Sequence, residues 1–154
     1  MKQELRIRPA TMADLDALAE LLNLLFTLEA DFAPEPAKQR RGLELMLNRP
    51  AERCVMVAES EGRVIGMCTA QLLVSTAEGG VAALIEDMVL REAHRGQGIG
   101  RRLLTAVENW ALEHGAKRLE LLADCENHPA LGFYDRLQWR RTQLICLHKK
   151  PPIG

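Results

Sequence analysis

The 154-residue chain is 47% hydrophobic and 27% charged, an ordinary globular composition at about the length of one domain. Twenty Lys and Arg face 21 Asp and Glu, for a formal net charge of −1. This balance excludes the basic footprint of a dedicated nucleic-acid binder and offers no polybasic patch for a membrane surface. Met1-Lys2-Gln3-Glu4-Leu5-Arg6 lacks the apolar stretch of a secretory signal. The richest apolar run is broken by Asp16, Glu20, Asn23 and Thr27, so no membrane span is expected. Cys54, Cys68, Cys125 and Cys146 show no CxxC pair or metal-ligand spacing and read as reduced thiols of a cytoplasmic protein.

Leu5-Arg6-Ile7-Arg8 alternates apolar and basic residues, which predicts a short half-buried strand ended by Pro9. Thr11 with Asp14 three positions on marks a helix start. Leu15, Leu18, Leu22 and Leu25 then give an amphipathic helix to about Leu28. The prolines between Asp31 and Pro36 break it, and a second helix is predicted over Lys38 to Leu47, ahead of Pro50. The period then changes. Cys54 to Ala58 and Val64 to Val74 read as a hairpin about the turn Glu59 to Gly62, and Ala82 to Leu90 as a third strand after Gly79-Gly80. Ile99, Leu103, Val107 and Trp110 mark a helix face that stops near Gly115. A strand over Leu119 to Ala123, a short helix over Ala130 to Leu137 and a last strand over Trp139 to Leu147 complete the reading. The expected architecture is a single α+β domain spanning residues 1–154, its sheet antiparallel at first and parallel where a helix links the strands at 82–90 and 119–123.

The chemistry concentrates at Arg95-Gly96-Gln97-Gly98-Ile99-Gly100-Arg101, between a strand and a helix. Glycine at every second position removes side chains where the chain turns, so the free N–H groups of the helix can converge on an anion. The helix dipole adds attraction, with Arg95, Arg101 and Arg102 nearby. Together these describe a pyrophosphate cradle. A flexible turn with solvated arginines is the plainer alternative, and the flanking strand and helix favour the cradle. A dinucleotide fold is the rival, with Glu120 twenty residues past Gly100 as its ribose-binding acid. The spacing G-x-G-x-G, the intervening Arg91 to Arg95 and the short stretch after Gly100 all argue against it.

The segment Val89-Leu90 through Arg95-Gly96-Gln97-Gly98-Ile99-Gly100-Arg101-Arg102-Leu103-Leu104 resembles the acetyl-CoA motif Q/R-x-x-G-x-G/A of the GCN5-related N-acetyltransferases. Asn127, Ala130, Phe133 and Tyr134 are similar to that family's second signature, N-x-x-A-x-x-F-Y, and the order of elements is also the family's. One departure stands out: Gln138-Trp139 lies where the family has Gly-Phe, which puts the turn before the last strand in question. The resemblance implies a mixed, mostly antiparallel sheet with helices on both faces, and acetyl-CoA as cosubstrate without a metal. The cofactor would be held by Met88, Val89 and Leu90, by Arg95, Gly96, Gln97, Gly98, Ile99, Gly100 and Arg101, and by Asn127 and Tyr134.

Acetyl transfer to an amine requires a neutral nucleophile, yet an alkylamine has a pKa of about 10.4 in water. Glu86 and Asp87 interrupt an apolar strand, where an unpaired carboxylate costs several kcal/mol. Regular alternation sends them to opposite faces. The resemblance favours Glu86 as the base, and Asp87 reads as a helix-cap or salt-bridge partner, although which of the two acids is the base stays open. Tyr134, the one tyrosine of the chain, would by resemblance protonate the departing thiolate; a core aromatic is its plainer role. The resemblance also places an oxyanion-binding amide at Met88–Val89, where the strand splays and pairs with the pantetheine arm. Asn127 reads equally as a turn residue before His128-Pro129. Cys125 near His128 reads as a packing residue rather than a nucleophile, and His94, His114 and His148 share no ligand spacing.

The function expected is direct transfer of acetyl from acetyl-CoA to a primary amine of a small molecule or peptide, in a ternary complex. Glu29, Asp31 and Glu35 point weakly to a cationic acceptor. An acyl-CoA-binding regulatory module without turnover is the alternative, and the resemblance leaves a homodimer open.

Overall fold

Leucines three and four residues apart do build the first helix, and its start is fixed by charge. The computed structural model describes residues 4–29 and 32–152. Strand β1 (Leu5–Pro9) leads through a 3₁₀ turn (Met12–Asp14) into α1 (Leu15–Leu28). The Thr11 N–H donates to the Asp14 carboxylate at 2.8 Å, satisfying a backbone donor that the helix cannot pair. Arg8 on β1 donates to both Asp14 oxygens, at 2.8 and 2.9 Å, and through Nε to Glu59 at 2.8 Å. These bonds hold the nearly buried Asp14 carboxyl below its usual range. Helix α2 (Pro36–Leu47) begins two residues earlier than predicted. Pro36 occupies the first turn, where a missing N–H costs nothing, so it starts the helix rather than delaying it.

Strands β2 (Arg53–Ser60), β3 (Arg63–Ser75) and β4 (Gly80–Leu90) follow, then α3 (Ile99–Glu113) and β5 (Ala116–Leu121). The β2–β3 turn is tighter than the sequence suggests because Glu61 and Gly62 both take left-handed backbone, φ 52° and 74°, the geometry of a two-residue hairpin. The sheet runs β1-β2-β3-β4-β5, with β1 to β4 antiparallel and β5 parallel to β4. Helices cover both faces, as expected for this α+β class. Leu18, Leu21 and Leu22 of α1 and Leu43 of α2 bury against Val55, Val57, Met67 and Val89. On the other face, α3 buries Leu103, Leu104 and Val107. Gly66 lets it approach, since a Cβ there would strike Leu90 and crowd Leu103.

The chain divides into two compact units, Met1–Leu121 and Leu122–Gly154. The second contains α4 (His128–Arg136) and, among the described residues, no strand. The strand predicted over Trp139–Leu147 is therefore corrected. Leu144, Ile145 and Leu147 are more than three-quarters exposed, and β propensity without a paired neighbour does not make a strand. Gln138 nonetheless keeps the turn geometry that the missing glycine put in question, at φ 70°. A side chain there costs roughly 1–2 kcal/mol relative to glycine. No helix among the described residues is long and apolar enough to cross a membrane.

Arg8→Ala should lower stability by about 2–4 kcal/mol, because it strands a buried carboxylate. Urea unfolding at pH 7 and pH 4 checks this, and the deficit should shrink at the lower pH as Asp14 becomes protonated.

Candidate active site

Two breaks in β4 make the site. Its parallel pairing with β5 ends at Ile85↔Leu121. From Glu86 to Leu90, β4 therefore has only β3 as a strand neighbour among the described residues. Alternate main-chain groups of Glu86, Asp87, Met88, Val89 and Leu90 thus lack a sheet partner on that side, and an extended ligand arm could satisfy them. The second break is a bulge. The β3–β4 register shifts between Met67 and Thr69, and Asp87 sits at φ 52°, a left-handed conformation costly for a residue with a side chain. Strict alternation fails at this residue.

The strand end leads into the glycine segment. Gly96 and Gly98 have φ of 76° and 78°, and a Cβ on either would meet nothing within 4 Å. The glycines are needed for backbone conformation, and the space beside them is open. Gly98 caps α3, so the first-turn N–H groups, including those of Ile99, Gly100 and Arg101, have no partner within the helix. The Ile99 side chain is buried in the core, so its contribution is the main chain alone. Arg95 folds back, donating from Nε and Nη2 to the Leu90 carbonyl at 3.3 and 3.2 Å. Gln97 reaches the Ala93 carbonyl at 3.5 Å. These two brace the loop, while Arg101 and Arg102 are exposed on α3. Open glycines, unpaired helix N–H groups and exposed arginines together fit a diphosphate.

Between α1, α2 and the sheet lies a cleft of about 490 Å³ with apolar walls that include Leu22, Phe26, Leu43 and Met46, a volume ordinary for small-molecule sites. Of the carboxylate pair, Asp87 lines it. Burial first, then the charges of Glu86 and Glu29, push the Asp87 carboxyl up to about 6. Thr69 Oγ1 lies 3.4 Å from Asp87 Oδ2 and 3.1 Å from the Glu86 carbonyl, pinning the bulge. Glu86, opposite Thr69 on β4, is half-buried, and burial raises its carboxyl too. Of the acidic residues expected to overhang the acceptor, Glu29 acts on Asp87 and Glu35 pairs with Lys38 at 3.1 Å; Asp31 lies outside the described residues. Sequence reasoning missed Thr69 and Gln39. A lone threonine in an apolar strand opposite two acids was the only available signal for Thr69. For Gln39, on a polar helix, there was none.

In the second unit, Asn127 caps α4 by accepting the Ala130 N–H at 3.2 Å, the local turn role that its position also allowed. Tyr134 packs edge-on against Phe133 and Trp139, with ring centroids 5.2 and 6.3 Å apart. Cys125 is exposed and Cys68 buried, with the Cys68 thiol shifted upward by burial.

Residues 15–139 match the Acetyltransferase (GNAT) family. The chain belongs to that family. Among its relatives, a Bacillus subtilis (strain 168) protein provisionally named as a [ribosomal protein bS18]-alanine N-acetyltransferase is 25% identical over 136 residues, 88% of this chain and 81% of that one. L-ornithine N5-acetyltransferase NATA1 of Arabidopsis thaliana is 36% identical over 66 residues, 39% of this chain and 29% of that one. In fold, this GNAT chain is similar to aminoglycoside N-acetyltransferase AAC(6')-Iy, solved in complex with CoA. The TM-score is 0.83 at 17% identity, covering 97% of each chain. The chain is an N-acetyltransferase of the GNAT type.

Gly98→Asp should abolish measurable acetyl-CoA binding by titration calorimetry, because it adds charge and bulk beside the helix N-terminus. Gly62→Asp, on the β2–β3 turn with equally positive φ and equally open space, bears the same backbone cost and should bind normally.

Proposed function

We propose that the chain transfers an acetyl group from acetyl-CoA directly to a primary amine of a small molecule or peptide in a ternary complex, residues 1–154 acting as one catalytic domain. One observation carries the reading. A buried carboxylate, Asp87, stands on the bulge of the same strand whose unpaired edge runs into the phosphate cradle. The donor site and the proton acceptor are thereby built on one piece of backbone. The relatives' names give nitrogen acceptors of three kinds: an amino-acid side chain, a protein alanine and an aminoglycoside.

When bound, acetyl-CoA supplies the acetyl group as an activated thioester. The residues of this chain do the rest. The main chain of Met88, Val89 and Leu90 holds the extended arm, and a Met88–Val89 amide donates to the developing oxyanion, a contribution worth about 10²–10³ in rate. The N–H groups of Gly96 to Arg101 hold the diphosphate. Glu86 and Asp87 form one acidic pair that removes the amine proton, with Asp87 the member in the cleft. Its raised pKa suits this work, since a base is most effective when it titrates near the working pH. Tyr134 donates a proton to the departing thiolate, and Asn127 contacts the cofactor arm with the part of its amide not used as a cap.

The ascending limb of kcat/KM against pH should fall near pH 6, because the pair accepts a proton only when ionised. Asp87→Asn should remove that limb and reduce turnover by about 10²–10⁴. Glu86→Gln should shift it to lower pH, since it deletes a negative charge that raises the Asp87 pKa. If Glu86→Gln alone abolished the limb, the base would be Glu86 acting without Asp87. Stability supplies a second sign. The folded pKa of Asp87, about 6, lies above its ordinary 3.8, so stability falls as pH rises from 4 to 6 and the deficit persists above that range. Asp87→Asn should therefore raise stability at pH 8 by about 2–3 kcal/mol in denaturant unfolding.

Tyr134→Phe should lower turnover by about 10²–10⁴ with little change in acetyl-CoA affinity, followed by free-thiol release against an amine panel. Saturable acetyl-CoA binding without amine-dependent thiol release would replace the enzyme with a regulatory module.

A further inference from the structure

Gln39 is a polar side chain on the inner face of α2, 7% exposed, and it lines the cleft that Asp87 closes. Its orientation is fixed: Oε1 accepts the Glu35 N–H at 2.6 Å, a role the amide nitrogen cannot take. The buried Nε2 is left as a donor with no hydrogen-bond partner among the described residues. A buried amide donor left unmade is destabilising, so the group is explained if a ligand oxygen completes it. Arg53 and Lys38 border the same cleft, with Arg53 held by its bond to the Leu45 carbonyl at 2.7 Å. Glu35 offsets Lys38 through their ion pair, while Arg53 makes no ion pair among the described residues.

The two ends of the cleft therefore differ in kind. At β4 there is a carboxylate with Glu86 and Glu29 close enough to act on it. At α2 and the start of β2 there is an unfilled donor beside a guanidinium. Strands β2 and β4 are separated by β3, so their backbones lie about 10 Å apart across the sheet; Gln71 of β3 lines the cleft directly opposite Arg53, and Leu22, Phe26, Leu43 and Met46 supply its apolar walls. Resting on the acetyl-transfer reading above, we propose that the acceptor is an aminocarboxylate. Its primary amine lies at Asp87, its carboxylate accepts from Gln39 Nε2 beside Arg53, and a short aliphatic spacer crosses the apolar walls. An amino acid acylated on its side-chain amine is one member of this class, and an unbranched ω-amino acid is the simplest.

The test uses three acceptors matched in chain length: 5-aminopentanoate, pentylamine and 1,5-diaminopentane, each with acetyl-CoA and the full chain, followed by thiol release. The aminocarboxylate should exceed both others in kcat/KM by about tenfold or more, the discrimination of a site whose buried polar group goes unpaired with the wrong ligand. Gln39→Glu can still accept the Glu35 N–H but replaces the donor with a negative charge, so it should invert the preference towards the diamine. Equal or better use of pentylamine or the diamine by the wild type would overturn the proposal, as would a Gln39→Glu effect that scales all three acceptors alike. Either of those results leaves acetyl transfer itself standing. If no acceptor releases thiol, acetyl transfer fails instead, and calorimetry on CoA-loaded protein decides this inference separately. Tighter binding of 5-aminopentanoate than of its two analogues, lost in Gln39→Glu, would support it, and no such preference would overturn it.

Discussion

The site depends on the parting of β4 from β5 after Ile85↔Leu121. A parallel strand pair satisfies its backbone groups evenly along its length. Ending that pairing while β4 continues for five more residues exposes donors and acceptors that folding would otherwise saturate. The deficit is tolerable because Glu86, Val89 and Leu90 remain paired with β3 on their other side, with Val89 anchored in the core. A rigid, half-paired strand is thus presented to a ligand at no entropic cost of ordering, which is the useful form of an unsatisfied edge.

The bulge at Asp87 is the second half of the device. A left-handed aspartate and a buried carboxylate both work against stability, and Thr69 is the hydroxyl that holds them in place. Strain of this sort persists where surrounding structure over-determines it. Here the surroundings are leucine-rich α1 with Leu43 of α2 on one face and α3 on the other. The robust core and the strained strand are two parts of one arrangement, since the leucines of α1 and α2 both stabilise the sheet and wall the cleft in which Asp87 stays protonated more readily than in water.

Much of this was legible from residue order. The leucine spacing of α1, the apolar face of α3, and the glycines at 96 and 98 each state a local requirement that nearby residues satisfy. The backbone geometry of the proposed phosphate cradle was legible for the same reason, because a helix N-terminus and two positive-φ glycines are contiguous in sequence. Its arginine was not: Arg95 reads as a charge for the anion, yet it turns back onto the Leu90 carbonyl. The reading also failed at residues 139–147, where apolar and β-branched residues suggest a strand. Pairing is a property of two segments, and one segment's composition cannot supply the other.

The sequence by itself determined which helices and hairpins form, where the chain must turn with left-handed backbone, and that two adjacent acids stand in an apolar strand. Those are local matters of period, capping and conformational freedom. Only the tertiary structure decided which acid occupies the cleft, because a one-residue register shift against β3 re-aims every side chain beyond it. It also decided that Gln39 of α2, forty-eight residues before Asp87 in the chain, lines that same cleft with its donor unmet. Proximity across a fold arises from packing, and packing is written in no single stretch of chain.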